Sequence, residues 1–333
     1  MIVGFWSLVA SALVAWQAPD PRTHLLIIAG VGGEPQYVQS FHESGCRLAD
    51  AARTKYGVPD SAIVLLAENP SSDPRCIRAR SGKVEVERAF ARVAATAKAG
   101  DLVMVVLIGH GSARDGQSRF NLPGPDMTAA DFARLLAPLS AQRVALVNAA
   151  SASGDFIAAL SGRNRVIVTA TRSVRERNQT RFATHFVAAY SGDYADSDKD
   201  GRVSLLEAFQ YAHREVAREY EAANQLQTEH AMLDDDGDGK GTEAPGPRSS
   251  DGALAARLYL TGGTEATTVA TSNDPRVDGL LHHRDSLEAK IDALRRRKAT
   301  MDSTAYEREL ETLLVDLATT TQAIKRSSGG GNP

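Results

Sequence analysis

Short apolar runs alternating with amphipathic stretches of helical period predict an α/β fold with a mostly parallel sheet and helices on both faces. The sharpest sign is Leu102-Val103-Met104-Val105-Val106-Leu107-Ile108, apolar at every position, as a strand buried on both faces must be. Beyond Gly262 the pattern changes to apolar residues at heptad and three/four spacing, which adds a C-terminal helical hairpin or coiled coil.

In chain order, strands are expected at 24–29, 62–66, 102–108, 143–148, 165–170 and 254–260. Helices are expected at 38–55, 83–99, 128–136, 154–160, 181–190 and 205–221. Thr128 suits an N-cap, its hydroxyl accepting from an orphan amide of the first turn. Residues 262–275 are rich in Gly, Thr and Ser and read as a linker. Leu280, Leu287, Leu294 and Met301 then recur every seven residues, with Ile291 between them. After an Asp302-Ser303 cap, Tyr306, Leu310, Leu313, Leu317 and Ile324 continue the stripe. Residues 276–326 therefore form a helical hairpin, or one helix of a coiled coil through which the chain self-associates. The basic run Arg295-Arg296-Arg297-Lys298 reads as a solvated helix end, and 327–333 are too polar and glycine-rich to pack.

Composition narrows the function classes. With 333 residues, 43% hydrophobic and 24% charged, the chain has material for a real core, which excludes wholesale disorder. A formal charge of −3 argues against nucleic acid as the partner, since that needs a basic surface. Residues 2–16 are almost wholly apolar, too short to span a membrane comfortably. They fit a signal peptide over 1–18, or an uncleaved N-terminal anchor, so an exported protein is expected: periplasmic, secreted or membrane-anchored. Two cysteines, Cys46 and Cys76, permit one disulfide and exclude a cysteine-based zinc site; nothing in the sequence places them close together.

Two segments carry candidate chemistry: Gly109-His110-Gly111-Ser112 after the third strand, and Asn148-Ala149-Ala150-Ser151-Ala152-Ser153-Gly154-Asp155-Phe156 after the fourth. At the carboxyl ends of neighbouring parallel strands, His110 and Ser151 converge on one crevice although far apart in sequence. Gly111 lets the backbone approach a substrate and leaves its amide to face a developing oxyanion. Ser151 equally suits an N-cap for a helix over 152–160. Asp155 is too near in sequence to be assigned as a third catalytic member.

The order of these elements, with Ala29-Gly30 closing the first strand, resembles the legumain-like cysteine peptidases, relatives of the caspases. The stretch Tyr-Gly-Val-Pro-Asp-Ser-Ala-Ile-Val-Leu-Leu at 56–66 is also similar to that family's approach to its second strand. The resemblance runs from about residue 24 to 186 and more loosely to 260, which makes 19–261 a caspase-like domain. It implies that His110 stands at the general base, Ser153 and Gly154 at the motif's Ser-Gly, and Ser151 where the family has its nucleophilic cysteine. A serine hydroxyl lacks a thiolate's intrinsic reactivity and depends on close coupling to a base. By ungapped matching, the family's histidine-orienting asparagine falls near Gly32 and its specificity arginine near Val38. Three such losses together point to a pseudo-peptidase that binds a peptide or protein. Two other readings stand beside it: a serine-dependent peptidase or esterase using His110 and Ser151, and a calcium-dependent assembly protein acting through 276–326.

Calcium enters through Asp196-Ser-Asp198-Lys-Asp200-Gly201-Arg202-Val203-Ser204-Leu-Leu-Glu207, which fits the twelve-residue EF-hand loop at every diagnostic position. Asp196, Asp198 and Asp200 supply oxygens, Arg202 a carbonyl, Ser204 a water-mediated contact and Glu207 two oxygens. Lying inside the domain, the loop suits a structural ion that pins a long insertion. Asp234-Asp235-Asp236-Gly237-Asp238-Gly239 repeats the first half of the motif, but its twelfth position is Pro245. Asp234, Asp236 and Asp238 either bind calcium weakly, with Glu243 or a borrowed ligand, or form a plain solvated loop. His230 reads as a surface residue, and His282-His283 has no partner pair at metal spacing. Asn178-Gln179-Thr180 matches a glycosylation sequon, which carries meaning only in a eukaryotic host.

Overall fold

In the computed structural model, residues 21–263, 301–328 and scattered helical positions between 279 and 294 are described. The expected leader and most of the linker lie outside these residues. Among the described residues, ten strands form two sheets: β1 Thr23–Ala29, β2 Ile63–Ala67, β3 Ala79–Arg80, β4 Leu102–Ile108, β5 Gly111–Arg114, β6 Gln117–Phe120, β7 Met127–Thr128, β8 Arg143–Asn148, β9 Arg165–Thr169 and β10 Met232–Asp234. The main sheet has the order β10-β9-β8-β4-β1-β2-β3 and is parallel except for β10. This is the expected α/β architecture, a caspase-like mostly parallel sheet flanked by helices.

All seven residues of β4 are buried, because successive side chains enter opposite cores. Met104, Val106 and Ile108 meet the layer formed by α1 (Pro35–Thr54), α5 (Phe182–Ser191) and α6 (Leu205–Ala222). Val103, Val105 and Leu107 meet Phe90, Phe132 and Phe156 of α2 (Lys83–Thr96), α3 (Ala129–Leu136) and α4 (Asp155–Leu160). Thr128 caps α3 as expected, in a reciprocal box with Asp131.

The strand expected at 254–260 is absent. The Asp235 carboxylate accepts the amides of Gly252, Leu254 and Ala255, each at 2.8 Å, and winds that segment into a 3-10 turn at Ala255–Arg257. The edge position goes instead to β10, antiparallel to β9, whose three residues are too few to show an alternating pattern. The small sheet β5-β6-β7 is a second difference. Its hairpin turns at Asp115-Gly116, both at positive φ (54° and 76°), the geometry that right-twisted strands favour.

Cys46 and Cys76 are joined in a disulfide that ties α1 to the segment before β3. Closing a loop of 30 residues contributes about 3–4 kcal/mol in the chain-entropy account. In the C-terminal region Leu280 packs against Ile324 of α7 (Ser303–Ser328), and Leu287, Ile291, Leu294 and Tyr306 are buried, as a hairpin requires. The helix α7 includes residues 327 and 328, which the sequence reading assigned to an unpacked tail. No helix among the described residues is long and apolar enough to cross a membrane.

Helix α5 has no cap of its own, and Glu229 supplies one from a distant loop. Its carboxylate accepts the amides of Arg181 (2.8 Å) and Phe182 (3.2 Å) and the Tyr220 hydroxyl (3.3 Å). Burial outweighs these bonds and pushes the Glu229 carboxyl from 4.5 up to about 6. A carboxyl raised on folding contributes its stability below its unfolded pKa and loses it as pH rises through the folded value. Relative to Glu229→Gln, the parent should therefore lose about 2 kcal/mol between pH 3.5 and pH 7. Urea unfolding of both proteins across that range checks this; a constant difference would remove the buried charge from the account.

Candidate functional site

Parallel pairing of β4 with β8 sets Leu107 beside Asn148, so the two motif loops leave the sheet together. The loop after β8 is fixed at almost every residue. The Asn148 side chain accepts the Ala150 amide at 3.1 Å, and the Thr180 hydroxyl donates to the Ala149 carbonyl at 2.6 Å. The Ala152 amide donates to the Glu176 carbonyl at 2.7 Å, and the Ser118 hydroxyl donates to the Ala152 carbonyl. Ser153 and Thr171 bond each other through hydroxyls and amides. These bonds hold Ala152 in the left-handed region at φ 50°, a strained turn of the kind that collects at functional sites.

Ser151 is 4% exposed. Its hydroxyl donates to the Gly111 carbonyl at 3.0 Å, and the Gly111 amide donates back to the Ser151 oxygen at 3.2 Å. That engages the amide which the sequence reading assigned to an oxyanion. Nor is Ser151 an N-cap, since α4 begins at Asp155 with Gly154 ahead of it. Gly111 has to be glycine here: an ideal Cβ would stand 2.0 Å from the Ser151 carbonyl oxygen.

His110 turns elsewhere. Its Nε2 donates to the Gly32 carbonyl at 3.2 Å, which leaves Nδ1 as the basic nitrogen. The rings of Tyr37 and Phe41 meet the imidazole edge-on at 4.8 and 5.1 Å. The orienting group that looked lost at Gly32 is thus supplied by that residue's main chain, invisible in a side-chain reading. Asp155 accepts the Ser118 amide and serves the loop.

The acidic loop between α5 and α6 brings Asp196, Asp198 and Glu207 together, one oxygen of each within 4.8 Å of the others. Asp196 accepts the amides of Asp200 (3.2 Å) and Gly201 (3.0 Å), and Gly201 stands at φ 87°. Partial burial, then repulsion from Asp200 and Glu207, pushes the Asp198 carboxyl up to about 6. This set of hard oxygen donors fits calcium. Ser204 has a different place from the one expected: with Glu207 it forms the capping box that starts α6. Asp200 is turned from the cluster. One of its oxygens accepts the Arg202 amide, and the other accepts the guanidinium of Arg284 from the C-terminal hairpin. Arg284 is 3% exposed, lies 3.9 Å from Asp198 and donates to the Tyr259 hydroxyl at 2.9 Å. The side chain of Arg202 lies over the Tyr259 ring at 4.0 Å. Sequence reasoning missed Arg284 because a helix residue far along the chain carries no sign of the loop it reaches.

Asp234, Asp236 and Asp238 also converge, one oxygen each within 4.8 Å. Burial raises the pKa of Asp234 and of its neighbours Asp235 and Asp251. His230 is paired with Glu176 at 2.7 Å, a structural contact. His42, Cys46 and Asp73 also lie together, but the Cys46 sulfur is spent in the disulfide.

No family model and no curated protein matches this chain. Among solved structures it is similar to a Geobacter sulfurreducens protein determined as a structural-genomics target. The two share 12% identity with a TM-score of 0.43, over 71% of this chain and 97% of that one.

The contact between residues 111 and 151 makes a direct prediction. Gly111→Ala should cost about 3 kcal/mol or more, since a backbone oxygen occupies the site of the new methyl. Ser151→Ala, which strips that contact of its hydroxyl but adds no atom, should cost about 1–3 kcal/mol. Urea midpoints measure both; a Gly111→Ala protein as stable as the parent would refute the close approach.

Proposed function

We propose that this is an exported, calcium-binding, caspase-like domain of legumain-like descent whose peptidase chemistry is lost and which binds a peptide or protein in the old cleft. The observation that carries the reading is the Ser151 hydroxyl, buried and bonded on both sides to the Gly111 backbone. A serine so placed has its proton committed to a carbonyl and the Gly111 amide spent on its own oxygen rather than on an oxyanion. The Cys46–Cys76 disulfide supports an oxidising compartment.

The calcium site would take Asp196, Asp198 and Glu207, joined by Asp200 once Arg284 withdraws. Bound there, the ion supplies charge neutralisation and pins the insertion between α5 and α6. Because Arg284 already sits on Asp200, the ion and the hairpin compete for one carboxylate. This contact favours a second role: calcium weakens the hold of the domain on its hairpin, which becomes free to self-associate.

Two experiments test these readings. The purified chain, with and without calcium, should turn over neither denatured protein nor peptide esters, and Ser151→Ala and His110→Ala should match it. Calcium-dependent turnover abolished in both alanine variants would make the protein a serine hydrolase instead. Ser151→Cys reports on the cleft, since activity there would mean that only the nucleophile is missing. For the hairpin, Arg284→Gln should tighten calcium binding about tenfold, ~1.4 kcal/mol, in isothermal titration. Unchanged affinity would remove the competition.

A further inference from the structure

The second acidic loop is set out like the first. Counting from Asp196 and from Asp234, the fourth residues, Lys199 and Gly237, both have positive φ (62° and 85°), as do the sixth, Gly201 and Gly239 (87° and 78°). In each loop the fifth amide donates to the third aspartate, at 3.1 Å in the first and 2.9 Å in the second. The seventh amide donates to the fifth aspartate, at 2.8 Å and 2.7 Å.

The two loops part company at the first aspartate. Both oxygens of Asp196 accept loop amides. Asp234 is 0% exposed, and its Oδ1 accepts the Ser161 hydroxyl (3.1 Å) and the Gly237 amide (3.3 Å). Its Oδ2 is sealed from solvent and has no hydrogen-bond partner among the described residues. An orphaned carboxylate oxygen in the interior is costly, and a protein retains one where something else compensates it. The exposed carboxylates of Asp236 and Asp238 each bring an oxygen within 4.8 Å of an oxygen of Asp234 and of each other. Neighbouring Asp235 is fully employed on the amides of Gly252, Leu254 and Ala255, and Asp251 on those of Asp235 and Asp236. Backbone amides therefore answer the flanking acids, while the orphan at Asp234 remains.

We infer that Asp234, Asp236 and Asp238 form a second site for a hard divalent cation, with calcium the preferred ion, in which Asp234 Oδ2 is the buried ligand. With Pro245 in the twelfth place the closing bidentate carboxylate is missing, so the site is weaker than a complete loop, with a dissociation constant of roughly 10⁻⁴–10⁻³ M. Its position gives it a use. Ser161, at the end of α4, donates to Asp234 and accepts the Gly239 amide at 3.1 Å, so the ion would clamp β10 onto the helix that follows the Ser151 turn.

The inference stands whether or not the first loop binds calcium, and isothermal titration of the chelator-treated full chain with calcium into the millimolar range separates the two. Glu207→Gln disables the first loop while keeping the α6 cap. Binding of one equivalent by Glu207→Gln, lost when Asp236→Asn and Asp238→Asn are added, is the expected result. If Glu207→Gln binds no calcium, or if its equivalent survives those two substitutions, the second site does not exist. If Glu207→Gln binds as many equivalents as the parent, and the Asp236→Asn and Asp238→Asn changes remove one, the second site stands and the first loop's reading falls. Both test aspartates are exposed, so folding of the variants is checked simply by the unchanged thermal midpoint of the calcium-free protein.

Discussion

At the place where residue 111 would carry a Cβ stands the carbonyl oxygen of Ser151, 2.0 Å from that ideal position. Only a glycine lets the two loops leaving β4 and β8 touch backbone to backbone, and much of the surrounding structure depends on this approach. From Gly111 the chain enters β5, whose hairpin partner β6 carries Ser118. Ser118 then reaches back to the Ala152 carbonyl and, by its amide, to Asp155. The small sheet is thereby fastened to the turn that leads into α4. Gly154 repeats the requirement one turn on, where a Cβ would lie 2.5 Å from the Arg172 backbone. The junction of the two loops is thus built of main chain, held by hydrogen bonds whose energies belong to the fold before they belong to any chemistry.

The frame was legible in the sequence because its signal is local. A strand buried on both faces, such as Leu102–Ile108, has to be apolar throughout, and five of the six strands expected coincide with strands in the structure. The sixth was misread because its conformation is decided by the Asp235 carboxylate, some twenty residues away, which draws three amides into a turn. The candidate site divides in the same way. That His110 and Ser151 leave neighbouring strands follows from the order of motifs. Which atoms they face does not, because their partners are main-chain groups of Gly32 and Gly111, which every residue possesses and no motif advertises. The Asp115-Gly116 hairpin was readable from its dipeptide, and the disulfide was one of only two options open to two cysteines.

Electrostatics around the first acidic loop show one local problem met from far away in the sequence. Asp196, Asp198, Asp200 and Glu207 crowd one turn, and like charges at that spacing repel. The Glu207 carboxylate is answered by the Ser197 amide and hydroxyl and by the N-terminus of α6. Asp200 is answered by Arg284, backed by the ring of Tyr259. A buried arginine of this kind holds its carboxylate firmly only while nothing with more charge arrives, since its own desolvation offsets much of the attraction. The helical segment carrying Arg284 is therefore attached to the acidic loop through this one carboxylate.

Conversion of a catalytic centre to a binding surface needs few changes when the centre is also a structural junction. In a cysteine peptidase the nucleophile must stay free for substrate, so its thiol cannot double as a strut. A serine at that position has an oxygen of suitable size and polarity to bond the neighbouring backbone, and once it does, burial rewards the contact. His110, meanwhile, keeps a carbonyl on one nitrogen and two aromatic edges around its ring, which fixes the imidazole in place. The proposed loss of chemistry and the rigidity of this junction would then have one origin: the Ser151 hydroxyl is bonded to the Gly111 backbone instead of standing free for a substrate.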